Sequence, residues 1–294
     1  MQLLSQSYSA GLAKRLTSDN SAHVLSSFER ACNLIDEQGR FISIVDNTAG
    51  NGPSTMVLME SPGSLEKILF VGDPVAIGEN SLTINTTTID FSEATVWCPR
   101  VDWDRAKNCT QHFKKNIRDL NMIAKYRAPR GGLSSLLFSS IHNMDFVCAR
   151  VADSAQQLFR GILNANTQSV QAGASSVAGL GVGLTPAGDD FLMGVIYALW
   201  AVFDPEDAIN WSRTIVDAAS PRTTMLSAAM LQEASNGHAT EHWHVLVDVL
   251  TMGDAMDMDR ACMGILSVGN TSGADALTGF LLSIDFLRDY KNIG

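Results

Sequence analysis

The sequence predicts an α+β protein, with a β-rich N-terminal domain over residues 1–102, a small antiparallel sheet or barrel-like, and an α-helical domain over residues 103–294. Short runs rich in β-branched residues recur between turn signals in the first third. From about Asp102 the pattern lengthens into helical segments. A chain of 294 residues that is 46% hydrophobic also has enough apolar surface for about two domains.

The strand candidates, in order, are FISIV at 41–45, STMVLM at 54–59, KILFV at 67–71 and SLTINTTTID at 81–90. In the last, Leu82, Ile84, Thr86 and Thr88 alternate with Thr83, Asn85 and Thr87, the period of a half-buried strand. Asn51-Gly52-Pro53 and Glu79-Asn80 mark turns. The helix candidates are 104–126 and 146–166, the apolar run Phe191–Phe203, and then 206–219, 223–235, 241–252, 257–267 and 275–289. Asp204-Pro205 suits a helix start, with Asp as cap and Pro at the first helical position. The apolar run lies between Asp190 and Asp204 and falls short of the ~20 residues a membrane span needs, so it predicts a helix buried within the protein.

Composition narrows the function classes. Lys and Arg number 21 against 31 Asp and Glu, a formal charge of −10, which argues against nucleic-acid or anionic-membrane partners. Cys32, Cys98, Cys109, Cys148 and Cys262 are scattered and in no CxxC spacing, which speaks against a disulfide framework or a zinc ribbon and for a reducing cytoplasm. The N-terminal stretch lacks the apolar core of a signal peptide.

The segment QAGASSVAGLGVGLTPAGDD (171–190) is rich in glycine and low in charge, yet it runs straight into the most apolar helix. Its glycines therefore point to positive φ or close backbone approach rather than to a loose linker. The strongest internal signal is a repeat: GDDFLMG (188–194) and GADALTG (273–279) both read GxDxLxG, each following a hydroxyl-bearing turn and leading into an apolar helix. Gly then Asp at a helix start sets a carboxylate beside unpaired backbone N–H groups, a place that also favours anions. As purely structural residues, Asp190 and Asp275 would cap their helices, and Gly194 and Gly279 would let the two helices pack closely. The doubled Asp189-Asp190 exceeds what one cap needs.

Standard templates fit poorly. Gly183–Gly188 has P-loop spacing, but Asp189-Asp190 stands where that loop needs Lys and Ser or Thr, and Gly179, Gly181 and Gly183 do not complete GxGxxG. Ser220-Pro221-Arg222-Thr223 contains SxRT, the pattern with which aspartate and ornithine transcarbamoylases hold carbamoyl phosphate, with Arg222 as a phosphate fork and Ser220 and Thr223 as hydroxyl donors. Capping of helix 223–235 is the plainer explanation, and chance is favoured over homology, since those enzymes carry the motif in an α/β domain. His238, His242 and His244 beside Glu241 have metal-like spacing, but Asn236-Gly237 breaks the helix just before them, and no metal is expected there. No motif ties a histidine to Ser272 for a Ser/His/Asp triad.

GVGLTPAGDDFLMG and, some way downstream, LSVGNTSGADALTGF resemble the oxamate carbamoyltransferase subunit family of allantoin catabolism, in which one subunit carries GxGLTPxxDDxLxG and GHTSGADxLxGF. The likeness is strong over 181–195 and 266–280 and weaker over ERACNLIDEQGRFISI and NGPSTMVL. It implies carbamoyl transfer by a hetero-oligomer with other carbamoyltransferase subunits, in the direction in which oxalurate, or another ureido acid, and phosphate give oxamate and carbamoyl phosphate. A homodimer is a further option for the assembly. Asn270 stands where the family often has His, so an acid/base duty of that histidine does not carry over.

On this resemblance the Gly179–Gly188 loop, including Gly181, Gly183 and Gly188, would bind phosphate or carboxylate through its N–H groups, helped by the hydroxyls of Thr185, Thr271 and Ser272 and by Gly273; Arg222 and Thr223 would add to it on the strength of the SxRT motif, not of the resemblance. Asp189, Asp190 and Asp275 would accept hydrogen bonds from the carbamoyl NH₂ or take up a proton, and Asn270 would orient the carbonyl. No cofactor is expected. Two other classes stand beside this one: a Mg²⁺-dependent hydrolase on a helical scaffold, as in ADP-ribosylglycohydrolases, and a non-catalytic scaffold in which both Asp side chains are saturated by backbone N–H groups.

Overall fold

The computed structural model describes residues 1–16, 21–108, 110–138 and 145–291. The chain divides into two compact units, residues 1–100 with 239–241 and residues 101–238 with 242–294. Cys109 lies outside the described residues, while Cys32, Cys98, Cys148 and Cys262 are free thiols.

The first unit holds β1 (Gln2–Ser9), β2 (Ser21–Ser27), β3 (Ala31–Asp36), β4 (Phe41–Val45), β5 (Thr55–Leu58), β6 (Pro74–Ile77), β7 (Ser81–Ile84), β8 (Thr87–Asp90) and β9 (Thr95–Trp97). They pair in the order β5-β4-β3-β2-β6-β7-β8-β1-β9, and a further β5–β1 pairing closes the first eight into a ring. Closure leaves no free edge among those eight strands. Val24, Leu34, Ile42, Ile44, Met56, Leu58, Leu82 and Ile89 fill the interior of this unit.

Two strand expectations need correction. KILFV is no strand: Leu65–Lys67 form a 3-10 turn, from which Leu65 and Leu69 plug the core while Phe70 and Val71 stay exposed. SLTINTTTID is two strands, because Asn85 takes φ 52° and turns the chain between Ile84 and its cross-strand partner Thr87. Asn tolerates that left-handed conformation, and a two-residue loop of this kind suits a tight hairpin. The alternation therefore slips phase, so Thr87 and Ile89 are the buried pair of β8.

The second unit is helical: α1 (Trp103–Asn108), α2 (Thr110–Arg127), α3 (Phe146–Leu163), α4 (Thr167–Val177), α5 (Ala187–Val202), α6 (Pro205–Ala219), α7 (Met225–Ser235), α8 (Glu241–Met252), α9 (Ala255–Leu266) and α10 (Ser272–Lys291). Among the described residues no helix is long and apolar enough to cross a membrane. The Gly-rich segment is shorter than its composition suggests, since residues 171–177 belong to α4. Gly173 lies mid-helix because a Cβ there would come within 2.7 Å of Leu158 and 2.9 Å of the Ser154 carbonyl on α3.

Helix α5 is the centre of this unit, buried at every position from Gly188 to Ala201 except Met193. Trp200 donates its indole N–H to the Ala234 carbonyl at 3.1 Å, and Trp103 donates its own to Gly237 at 2.9 Å. Tyr197 packs between Trp103 and Trp243, and Trp243 meets Phe280 of α10 edge-on. The two repeat-bearing helices, α5 and α10, therefore share one aromatic-lined core.

Candidate functional site: a buried carboxylate cluster at two crossing helices

The two GxDxLxG copies build the same structure twice. In each, the first glycine passes against the last turn of the preceding helix: a Cβ on Gly188 would lie 2.1 Å from the Val177 carbonyl oxygen, and one on Gly273 1.9 Å from that of Ile265. The last glycines are reciprocal. A Cβ on Gly194 would lie 1.8 Å from the Ala276 carbonyl oxygen, and one on Gly279 2.1 Å from that of Phe191. No side chain fits such gaps, so glycine is what allows α5 and α10 to cross backbone against backbone.

The turns into the helices match as well. Leu180 donates to Val177 O and Gly188 to Leu180 O, while Val268 donates to Ile265 O and Gly273 to Val268 O. The first turn carries the longer loop, with Gly179, Gly181 and Gly183 at φ 72°, 115° and 100°. The expectation of positive φ in this segment holds at all three.

Close crossing buries the carboxylates of both first turns: Asp189, Asp190 and Asp275 are 2%, 3% and 0% exposed. Their surroundings differ. Asp189 is fully engaged, accepting from the Gly179 N–H at 2.9 Å on Oδ1 and from the Thr223 hydroxyl on Oδ2. Asp275 Oδ1 accepts from the Leu133 N–H at 2.6 Å. Neither Asp275 Oδ2 nor Asp190 Oδ2 has a hydrogen-bond partner, although both atoms are buried.

Electrostatics follow from this. Burial raises the Asp190 carboxyl to about 8, with the Asp275 and Asp189 charges pushing the same way and the Ser272 and Thr185 hydroxyls offsetting only part. Burial raises Asp275 to about 6, held lower by the Leu133 N–H and Thr271. Asp189 is also raised by burial, against the pull of Thr223, Gly179 and Ser227. Unpartnered buried carboxylate oxygens are costly and rare, which marks Asp190 and Asp275 apart from Asp189.

The remaining sequence-predicted residues divide. Thr185 and Ser272 stand together, their hydroxyls 3.2 Å apart, and join the two motif loops beside Asp190. Thr271 is half-buried and its carbonyl caps the Asp275 N–H, while Asn270 is exposed in the turn before α10. The N–H groups of Gly179, Leu180, Gly188, Asp189 and Asp190 already have partners within the fold, and residues 181–184 form the exposed tip of this loop.

The SxRT motif does not act as a unit. Ser220 donates to Val216 O, Thr223 to Asp189, and Thr224 caps α7 by accepting from the Ser227 N–H, which leaves only Arg222 facing outward. His238 bonds Glu233 at 2.7 Å, and among the described residues no group of three or more His, Cys, Asp or Glu stands ready to hold a metal.

Sequence reasoning missed Gly132 and Leu133. Gly132 has φ 60°, and a Cβ there would lie 2.5 Å from Asp275 Oδ1, so the glycine is what lets the Leu133 N–H reach the carboxylate. The signal was Pro129-Arg130-Gly131-Gly132, a turn sequence with paired glycines. Beside Asp189 and Asp190 lies a crevice, too narrow for a water molecule, lined by Thr185, Met193, Ser227, Met230 and Leu231.

A family profile described as "Oxamate carbamoyltransferase subunit AllH" matches residues 177–284, and a second, "AllH family N-terminal domain", matches residues 4–96. Between them they cover both motifs and most of the strands. No solved structure matches the chain.

Proposed function

The chain belongs to the AllH family of oxamate carbamoyltransferase subunits, and on that premise we propose that it supplies an acid–base carboxylate pair to a carbamoyl-transfer complex. In the phosphorolytic direction a ureido acid such as oxalurate reacts with phosphate. The bond between the carbamoyl carbon and the amide nitrogen breaks, a phosphate oxygen bonds to that carbon, and the departing nitrogen of oxamate takes a proton.

The observation that carries the proposal is the pair of buried, unpartnered oxygens, Asp190 Oδ2 and Asp275 Oδ2, at the starts of the two crossing helices. Two carboxyls whose surroundings push them to different proton affinities divide naturally into acid and acceptor. At neutral pH Asp190, raised to about 8, holds a proton to donate to the leaving nitrogen, and the proton that hydrogen phosphate loses on attacking the carbamoyl carbon restores it. Asp275, raised only to about 6, is largely ionised and accepts from the carbamoyl NH₂. Thr185 and Ser272 orient the Asp190 carboxyl. The narrow crevice admits substrate by rotation of the Met193 and Met230 side chains, which are long, unbranched and adaptable.

Saturation of both motif carboxylates by backbone N–H groups would have favoured a non-catalytic scaffold. Asp189 is saturated, by one backbone N–H and one hydroxyl, whereas Asp190 and Asp275 each keep an unpartnered oxygen. The test is carbamoyl phosphate formation from a panel of ureido acids and phosphate by the complex reconstituted with its co-purifying subunits. Asp190→Asn is expected to abolish turnover while the complex still assembles. A variant complex that turns over at the parent rate refutes the assignment.

A further inference from the structure

The helical unit contains a second polar concavity, separate from the carboxylate cluster. A groove of about 730 Å³ lies between α3, α4 and the turn Ser220–Arg222, and it is lined by Phe146, Arg150, Gln171, Ser175, Ser176 and Arg222, among others. It shares no lining residue with the crevice beside Asp189 and Asp190. Its volume falls in the range of small-molecule sites.

Charge is what sets the groove apart. The chain carries −10 overall, yet two arginines and no Asp or Glu line this concavity. Several arginines elsewhere are matched to acids, among them Arg30 with Asp46, Arg40 with Asp36, Arg105 with Asp248 and Arg127 with Asp259. Among the described residues neither Arg150 nor Arg222 belongs to an ion pair. Arg150 instead donates to the Ser176 hydroxyl at 3.4 Å, and Gln171 adds an amide to the same wall.

Arg222 is held by its backbone. Gly179 passes so close that a Cβ would come within 2.3 Å of the Arg222 carbonyl oxygen, and Ser220 anchors the turn by donating to Val216 O at 2.7 Å. The guanidinium is thus presented by a fixed main chain. A guanidinium offers a planar fork of donors to an oxyanion. Two forks in one groove suit a tetrahedral phosphate, whose several oxygens can serve both, better than a carboxylate with two.

We propose that this groove is a binding site for the phosphate group of a small molecule, with Arg150 and Arg222 as its ligands. The site does not depend on the role given to Asp190 and Asp275. It does adjoin the third carboxylate of the cluster, because Gly179 and Thr223, which hold Asp189, are the chain neighbours of the groove residues Ala178, Leu180 and Arg222.

The test is isothermal titration of inorganic phosphate into the full chain at constant ionic strength in chloride, repeated with Arg150→Gln, Arg222→Gln, the double variant, Arg213→Gln as a control outside the groove, and Asp190→Asn. Saturable binding is expected for the parent, Arg213→Gln and Asp190→Asn. It should weaken roughly tenfold or more in each single groove variant and vanish in the double, since each removes a charge-assisted donor. A parallel titration with acetyl phosphate separates the free ion from an acyl phosphate by which binds tighter. No binding to the parent, or undiminished binding to the double variant, overturns the proposal, as does binding lost in Asp190→Asn alone. A parent complex that forms no carbamoyl phosphate yet binds phosphate through the two arginines would refute the catalytic assignment and leave this site standing.

Discussion

Replacing Asp190 by Asn should stabilise the protein, and the gain should grow with pH. In the folded chain Asp190 keeps its proton up to about 8, whereas in the unfolded chain it releases it near 3.8. Between those values the folded state binds more protons than the unfolded one, so stability falls as pH rises and levels off above about 8. At roughly 1.4 kcal/mol for each pKa unit, the burial of this carboxylate costs about 3 to 5 kcal/mol at pH 7. Asn is of similar shape and has no charge to desolvate, but it brings an NH₂ that needs an acceptor, a penalty of about 1–3 kcal/mol set against the gain. Urea unfolding midpoints between pH 4.5 and 8.5 should therefore show parent and variant close together at the acid end. By pH 8 the variant should lead by about 2 kcal/mol or more. Some slope will remain in the variant, because Asp275, raised to about 6, acts in the same direction. A gain that does not increase with pH, or a variant less stable than the parent at pH 8, refutes the account of Asp190 as a buried, poorly compensated carboxyl.

Gly279→Ala places a methyl 2.1 Å from the Phe191 carbonyl oxygen and should cost about 3 kcal/mol or more in chemical unfolding, because neither helix backbone can yield without moving the core; a loss under 1 kcal/mol would contradict the crossing. Thr223→Val removes the hydroxyl that donates to Asp189 Oδ2 and should cost about 1–3 kcal/mol. Burial already raises Asp189, and losing the donor raises it further, so the deficit should be larger at pH 8 than at pH 5, and a pH-independent loss would argue against an ionised Asp189.

How much of this was legible in the sequence depended on whether the side chain or the backbone carried the information. FISIV matched β4 and the apolar run after Asp190 matched α5, because in both the buried face is built from apolar side chains. QLLSQSYS carries no aliphatic strand pattern, because Ser5, Ser7 and Ser9 are the residues buried on its inner face. Ser5 donates to Val57 O and Ser7 to Asn51, so polar atoms are satisfied where the pattern expects aliphatic ones. In the candidate site, the repeated Gly and Asp positions could be read because glycine reports backbone approach directly. The different surroundings of the three carboxylates could not be read. They rest on N–H donors from Gly179 and Leu133, and a main-chain donor carries no residue signature.

The two motif copies show how one backbone arrangement can carry two different acids. The glycine contacts are nearly interchangeable between copies, and both place a carboxylate in the first turn of a buried helix. What differs is the nearby N–H: Leu133 donates to Asp275, and Asp190 has only hydroxyls close by, with the other two carboxylates adding repulsion. That difference moves the pair apart, to about 6 and about 8. The consequence reaches the charge balance. Counted formally the cluster contributes three of the negative charges of an acidic chain, but with Asp190 protonated at neutral pH it contributes fewer. An oxyanion approaching the cluster then meets less repulsion than the composition implies. The positive field for such a group, on the reading proposed for Arg150 and Arg222, comes from the separate groove, in which Arg222 is the chain neighbour of Thr223. A catalytic cycle drawing on both would have to pass its phosphate between them or gather it from another subunit. Phosphate affinity measured with and without the co-purifying subunits separates the two: a site complete within this chain keeps its affinity when they are removed.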